Sequence, residues 1–346
     1  MPGGRGATYW RPLLQTGPAR PDGALVLGHG WCWFTDVERI ERDGPSAVHS
    51  EVHPAAALPP DIRTRLTAPR APVAGLALDS PRIMAILNTT PDSFSDGGQH
   101  EGTEAALAHA LRLADAGADM IDVGGESTRP GAETVPEDAE IARTVPVVAA
   151  LTQRWAGPVS IDTRKAGVAR AAVAAGAALI NDVSAMTHDS AMATAMARSG
   201  GPVCLMHMGG EPATMQEAPR YDDVLLDVYD HLAARIDAAT DAGIARAGIV
   251  IDPGIGFGKT LDHNLTLLRD VAAFHALGLP VLIGASRKRF IGTITGVETA
   301  GARVAGSIAV ALHVAQRGVQ ILRVHDIAAT RQAVAMAMAL ADGDGT

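Results

Sequence analysis

Short aliphatic runs in this chain end, one after another, on side chains that can do chemistry. Arg82–Leu87 leads to Asn88, Val159–Ile161 to Asp162, and Ala178–Ile180 to Asn181 and Asp182. Val203–Met206 is followed by His207, and Gly248–Ile251 by Asp252. Val281–Gly284 precedes Ser286, Arg287 and Lys288, while Ile321–Val324 leads to His325 and Asp326 and contains Arg323. One further run, Ala118–Gly124, opens into GGESTRPG. A lone Asp after a strand is usually a helix cap, and at any single position that reading stands level with a ligand contact. The repetition favours one convergent polar site. Asp162, Asn181, Asp252 and Lys288 mix carboxylates, an amide and an ammonium, the set needed to read the edge of a flat heterocycle. Arg129, Arg323 and His325, with Asn88, supply donors and cations for a phosphate group. The residues alone therefore suggest a heterocycle beside a phosphorylated carbon.

Other candidates are weaker. DPGIGFGK (252–259) has phosphate-loop glycines but not Walker A spacing. Lys259 reads as a helix-start lysine facing water, and His207, between Met206 and Met208, as a packed histidine at a site mouth. No zinc or Ser/His/Asp constellation is present in the pattern.

Sixteen elements must position these residues. Strands are expected at Arg82–Asn88, Ala118–Gly124, Val159–Asp162, Ala178–Asp182, Val203–His207, Gly248–Asp252, Val281–Gly284 and Ile321–His325. Helices are expected near Thr103–Ala116, Glu137–Arg154, Ala166–Gly176, Ser190–Arg198, Asp222–Ala242, Asp262–Leu277, Gly301–Arg317 and Asp326–Leu340. Eight strand-then-helix units indicate an α/β fold, a (β/α)8 TIM barrel, whose strand ends share the face that holds active sites. A doubly wound sheet is the weaker alternative, since no GxGxxG follows the first strand. Residues 1–80 read as an N-terminal extension and linker packing on the barrel, and 81–346 as the barrel itself. Within the extension, Phe34–Arg42 is expected to form one short helix, and Pro-rich Ala56–Asp79 a linker or strap. A partner-binding role is the minority reading of the extension.

The chain has 346 residues, 47% hydrophobic and 19% charged, enough for a large core. A net charge of −9 argues against a general nucleic-acid binder. Two cysteines fit neither a metal motif nor a disulfide framework. No signal peptide and no run of about 18 apolar residues is seen, so a soluble, cytoplasmic protein is expected.

The motifs together resemble the dihydropteroate synthases. ILNTTPDSFSDGG (86–98), DVGGESTRPGA (122–132), SIDTRK (160–165), INDVSA (180–185), LMHMGGEPATMQ (205–216), IDPGIGFGKT (251–260), GASRKRFIG (284–292) and RVHD (323–326) follow in that family's order. The resemblance spans residues 82–341. Thr89 and Ile255 depart from it, but neither removes a functional group. It implies the condensation of a hydroxymethyl-dihydropterin pyrophosphate with p-aminobenzoate, a step of folate synthesis, in a homodimer that is a sulfonamide target. It implies that Asn88 helps hold Mg²⁺ against the pyrophosphate, whose oxygens Arg129, Arg323 and His325 bind. Asp162, Asn181, Asp252 and Lys288 would line the pterin pocket, with Met206 packing on the ring. Thr128, Pro130, Phe94 and Phe257 would close the p-aminobenzoate site, and Thr89–Gly98 and Glu126–Ala132 would order over substrates. Catalysis would rest on Asp162, Asn88, Arg323 and His325. The alternatives are a pterin-binding methyltransferase-type barrel and a non-catalytic pterin binder; the ESTRPG and SRK/RVHD blocks, and the presence of Asn88, Asp162 and Arg323, favour the synthase.

Overall fold

The computed structural model describes residues 6–44, 48–89, 99–127, 134–210 and 214–342. The extension forms β1 (Ala7–Pro12), β2 (Leu25–Val26), β3 (Trp33–Phe34), β4 (Asp36–Arg42), β5 (Val48–Pro54) and α1 (Pro60–Thr67). The repeating part follows as β6 (Arg82–Asn88), α2 (Gln99–Asp115), β7 (Met120–Gly124), α3 (Glu137–Arg154), β8 (Val159–Asp162), α4 (Ala166–Ala174), β9 (Leu179–Asp182) and α5 (Met192–Ser199). It continues with β10 (Val203–Met206), α6 (Val224–Asp241), β11 (Ile249–Asp252), α7 (Leu261–Arg269), β12 (Leu282–Ile283), α8 (Arg289–Thr295), α9 (Val304–Ala315), β13 (Ile321–Val324) and α10 (Ile327–Asp342).

Strands β6 to β13 form one parallel sheet in the order β11-β10-β9-β8-β7-β6-β13-β12. A parallel bridge from Ile251 to Val281 joins its two ends, so the sheet is closed and not doubly wound. The period of two along each strand then sorts the side chains. Ile83, Ala85, Leu87, Ile121, Val123, Ile161, Ile180, Leu205 and Ile251 pack outward with the helices in the main core. The alternate residues Met84, Met120, Leu179, Cys204, Val250, Leu282 and Ile321 form a separate apolar layer inside the barrel. Val73 and Leu78 join that layer and stop its lower end. Two residues further along the same strands stand Asp122, Asn181, Met206, Asp252, Gly284 and Arg323. The barrel alternation thus stacks a polar tier directly on an apolar one.

In the extension the helix expected at Phe34–Arg42 is instead strand β4, paired antiparallel with both β1 and β5. Val37 and Ile40 are three apart, a spacing that suits a helical turn. The two partner strands come from outside that window and decide the outcome. The Pro-rich segment carries α1, which Pro60 starts at a position where a missing N–H costs nothing. Trp10, Leu27, Phe34, Val37 and Leu66 bury themselves against Ala276 of the barrel. The Tyr9 hydroxyl donates to both oxygens of Asp230 at 3.0 and 2.9 Å. Arg70 is buried and donates to the carbonyls of Arg65, Ala68, His275 and Gly278, which end two helical segments, one from each part of the chain. The stretch expected as one helix over Asp262–Leu277 is α7 followed by a 3-10 helix, Val271–Leu277. Helix α8 stands where none was expected.

Candidate active site

Arg323 organises the mouth of the barrel. It projects inward from β13, and its Nε donates to Asp122 Oδ2 at 2.6 Å while a terminal nitrogen donates to Asp162 Oδ2 at 2.7 Å. Asn181 Nδ2 also donates to Asp122 Oδ2, at 3.0 Å. One guanidinium therefore serves two carboxylates from neighbouring strands, and the other oxygen of Asp122 is buried with no hydrogen bond among the described residues. Burial lowers the guanidinium's affinity for its proton, but Asp122 and Asp162 outweigh it and raise the pKa. The opposite holds for Asp162. Burial pushes its carboxyl up to about 7, more than Arg323 pulls it down, and Asp122 adds repulsion.

Asp252 lies across the mouth at the end of β11. Its Oδ1 accepts from Gly254 N at 2.7 Å, and burial lifts its carboxyl to about 6 against that bond and the nearby Lys288. Its other oxygen lies toward Gly284, whose missing side chain leaves space between Asp252 and Arg323. Lys288 stands with its ammonium 4.1 Å above the centre of the Phe257 ring. Phe257, Met206, Met215 and Val183 form a small apolar cluster there. His325 sits beside Ser286, with its Nδ1 3.1 Å from the Ser286 hydroxyl. Asn88 ends β6 near Asp162, because Gly124 between them has no side chain: a β-carbon there would lie 3.8 Å from Asn88 Oδ1 and 3.6 Å from Asp162 Cβ.

Asn88, Asp162, Asn181, Met206, Asp252, Phe257, Lys288, Arg323 and His325 are thus all placed on the C-terminal ends of barrel strands or the loops that follow them. Phe94, Thr128, Arg129 and Pro130 lie outside the described residues. Asp122 was not among the expected site residues, although it is central to the geometry. Its signal was there: it stands two residues after Met120 and two before Gly124, in the inward phase of its strand. Asp182 belongs to the other phase. It caps the following turn, accepting from the backbone of Ser184 and Met186, and does not face the site.

The loop after β11 explains the glycines. A β-carbon on Gly254 would lie 1.9 Å from the His207 carbonyl, and one on Gly258 2.3 Å from the Gly209 carbonyl. Both residues also have positive φ. These glycines let two site loops touch. Lys259, expected to face water, is instead buried beneath its own loop. Its Nζ lies 2.9 Å from His207 Nδ1 and 3.0 Å from the Phe257 carbonyl. Loss of hydration lowers its pKa to about 7.

The root of the ESTRPG segment is also anchored. Glu126 accepts from Arg164, from Lys165 and, at 3.2 Å, from the backbone of Val135 on the far side of that segment. Burial alone would raise the Glu126 carboxyl, but the Lys165 and Arg164 bonds hold it below the usual carboxylate range.

The arrangement sets paired carboxylates and an amide, with cations and donors among them, around the space over Gly284. A comparison with known proteins agrees with that chemistry. Residues 84–325 match the family model described as pterin binding enzyme. The dihydropteroate synthase of Escherichia coli K12 is 48% identical over 259 residues, covering 75% of this chain and 91% of that protein. The solved Xanthomonas albilineans dihydropteroate synthase with 4-aminobenzoic acid is 52% identical, with a TM-score of 0.73 over 78% of this chain and 96% of that one. The Yersinia pestis enzyme in a sulfonamide drug complex is 47% identical, with a TM-score of 0.73 over 76% and 95% of the two chains. This chain belongs to the pterin-binding enzymes, and among them to the dihydropteroate synthases.

Proposed function

We propose that this chain condenses 6-hydroxymethyl-7,8-dihydropterin pyrophosphate with p-aminobenzoate, giving 7,8-dihydropteroate and pyrophosphate. The observation that carries the reading is the slot over Gly284 between Asp252 and the Asp122–Arg323–Asp162 group, to which Asn181 is hydrogen-bonded. Carboxylates and an amide there accept from the amino-pyrimidinone edge and ring N–H groups of a pterin. Met206 gives the ring an apolar floor. Lys288 faces the ring's acceptor edge.

In the reaction the amine nitrogen attacks the pterin methylene carbon. A C–N bond forms, the C–O bond breaks, and pyrophosphate leaves with the electron pair. The amine proton passes to the departing phosphate or to solvent. An aromatic amine is neutral near pH 7, so no strong base is required. Arg323, His325 and Arg129 stabilise charge on the leaving group. Asp162, in its ionised form, offsets the positive charge that spreads into the ring. Thr128, Pro130 and Phe94, with Phe257, enclose p-aminobenzoate and exclude water from the electrophile.

The residues fit a hard divalent cation at one point. The Asn88 side-chain oxygen, beside the Asp162 carboxylate, suits Mg²⁺ carried on phosphate oxygens. When bound, Mg²⁺ supplies Lewis-acid stabilisation of the leaving pyrophosphate. Residues 1–80 act as an extension on the 81–346 barrel, a role supported by the Arg70 and Tyr9 contacts. A homodimer through the later helices is supported by exposed Met336 and Leu340 on α10 and Ile294 on α8. A cytoplasmic location is supported by two free cysteines.

The test is pyrophosphate release from the pterin pyrophosphate with Mg²⁺, with and without p-aminobenzoate, alongside detection of dihydropteroate. Coupled release is expected, inhibited competitively by a sulfonamide. Tight pterin binding without turnover would overturn the reading in favour of a non-catalytic binder.

A further inference from the structure

The chain has three lysines against 26 arginines. All three, Lys165, Lys259 and Lys288, stand just after barrel strands, in β8, β11 and β12 loops. Lysine is not this protein's surface cation, so each position calls for its own explanation. Lys165 pairs with Glu126 and with Glu140, the latter at 2.5 Å. Lys288 lies over Phe257. Lys259 is 3% exposed and, among the described residues, has no carboxylate within ion-pair distance.

Burying an ammonium without a counter-charge is unfavourable, and a methionine would fill the same space without that cost. What the amine adds is its two bonds. One reaches His207 Nδ1, on the loop after β10. The other reaches the Phe257 carbonyl, whose only other bond among the described residues, from Gly209 N, is long at 3.5 Å. Phe257 in turn supports Lys288 from below and packs on Met206. A single amine thus connects the loops after β10 and β11 at the residue on which the loop after β12 rests.

We propose that Lys259 is a positioning residue: its buried amine fixes Phe257 beneath Lys288, and through that ring it shapes the p-aminobenzoate end of the site. The proposal rests on the reading of Phe257 as a substrate contact. The bond does not depend on the amine being charged. The neutral form still donates to the Phe257 carbonyl.

The experiment is a double-mutant cycle on the full chain with K259M, F257A and K259M/F257A, measuring KM for p-aminobenzoate, kcat and Tm. Each single variant is expected to raise KM by about tenfold. The double variant is expected to be no worse than F257A alone, because both act through one ring. A purely structural lysine would lower Tm and give effects that add to those of F257A, and that result would overturn the proposal. So would a KM for K259M within twofold of the parent while F257A raises it; the site reading would then stand. If F257A itself leaves KM unchanged, the assignment of Phe257 fails, and the role of Lys259 with it. Should K259M not fold, K259L, which also removes the amine donor, is read by the same cycle.

Discussion

Replacing Asp252 by Asn changes one atom and reverses one interaction. Oδ1 keeps its bond from Gly254 N, so the loop stays in place. The second oxygen, which faces the slot, becomes an N–H donor opposed to the donors of the pterin edge. Hydrogen bonds to a charged group contribute about 1.5–3 kcal/mol each, so losing one or two weakens binding by about 10-fold to 10,000-fold. Stability should move the other way. The Asp252 carboxyl is raised by burial to about 6, against about 3.9 in an unfolded chain, roughly two units at 1.36 kcal/mol each. A carboxyl raised in the folded state contributes stability that is complete below about pH 4 and lost as pH rises through about 6. At pH 7.5 the wild-type chain therefore bears a cost on the order of 2–3 kcal/mol that Asn removes. Calorimetric titration with hydroxymethylpterin and urea unfolding at pH 4 and 7.5 measure both. A variant that binds within threefold of the parent, or that shows no pH-dependent gain in stability, would refute the reasoning. Asp252→Ala should lose binding as fully, without the retained loop contact.

Asp162, lifted to about 7, must be ionised to offset the developing cation, so kcat/KM should rise with pH toward about 7 and then level. Asp162→Asn should remove that acid limb and lower kcat by at least about 100-fold, as a pH–rate profile would report. Arg323→Lys keeps the charge but reaches only one of Asp122 and Asp162; it should cost up to about 3–5 kcal/mol in urea unfolding and weaken pyrophosphate binding in the same preparation. Arg70→Met removes a donor from four carbonyls, of which that of His275 keeps its bond from Gly278 N, and should lower stability by at least about 2 kcal/mol while KM for both substrates stays unchanged in steady-state assays.

The barrel was legible because its signal repeats. Nearly every strand is a short aliphatic run that ends on, or opens into, polar residues, and that repetition places one face without any tertiary knowledge. The same run hides which residues point inward, since both faces of a parallel barrel strand are buried. Asp122 was missed for that reason: it sits inside its run, and only the count of two from Met120 gives it away. Lys259 was misread because a lysine before a helix is usually solvated, and nothing local says that a second loop will cover it. Gly209 and Gly254, distant in sequence, are what bring that cover close. Strand β4 went wrong because its partners lie outside its own window. Thr128, Pro130 and Phe94 were named through the family motifs alone, since a motif carries a role with no geometry attached.

The polar tier costs this fold stability, and the rest of the chain offsets it. Asp162 and Asp252 both hold their protons too tightly for a carboxylate, and Lys259 holds its own too loosely. All three shifts have burial as their largest cause, so they share a source: charge set where water has been excluded. A bound pterin brings the missing donors, and the same exclusion of water then strengthens every contact to it. The compensation lies on the other side of the apolar layer. Val73 and Leu78 stop the barrel floor, and Arg70 clamps the helix ends beneath it. The extension adds its own core against Ala276. A site that is unfavourable when empty is in this way held on a barrel reinforced from below, where no substrate contact is disturbed.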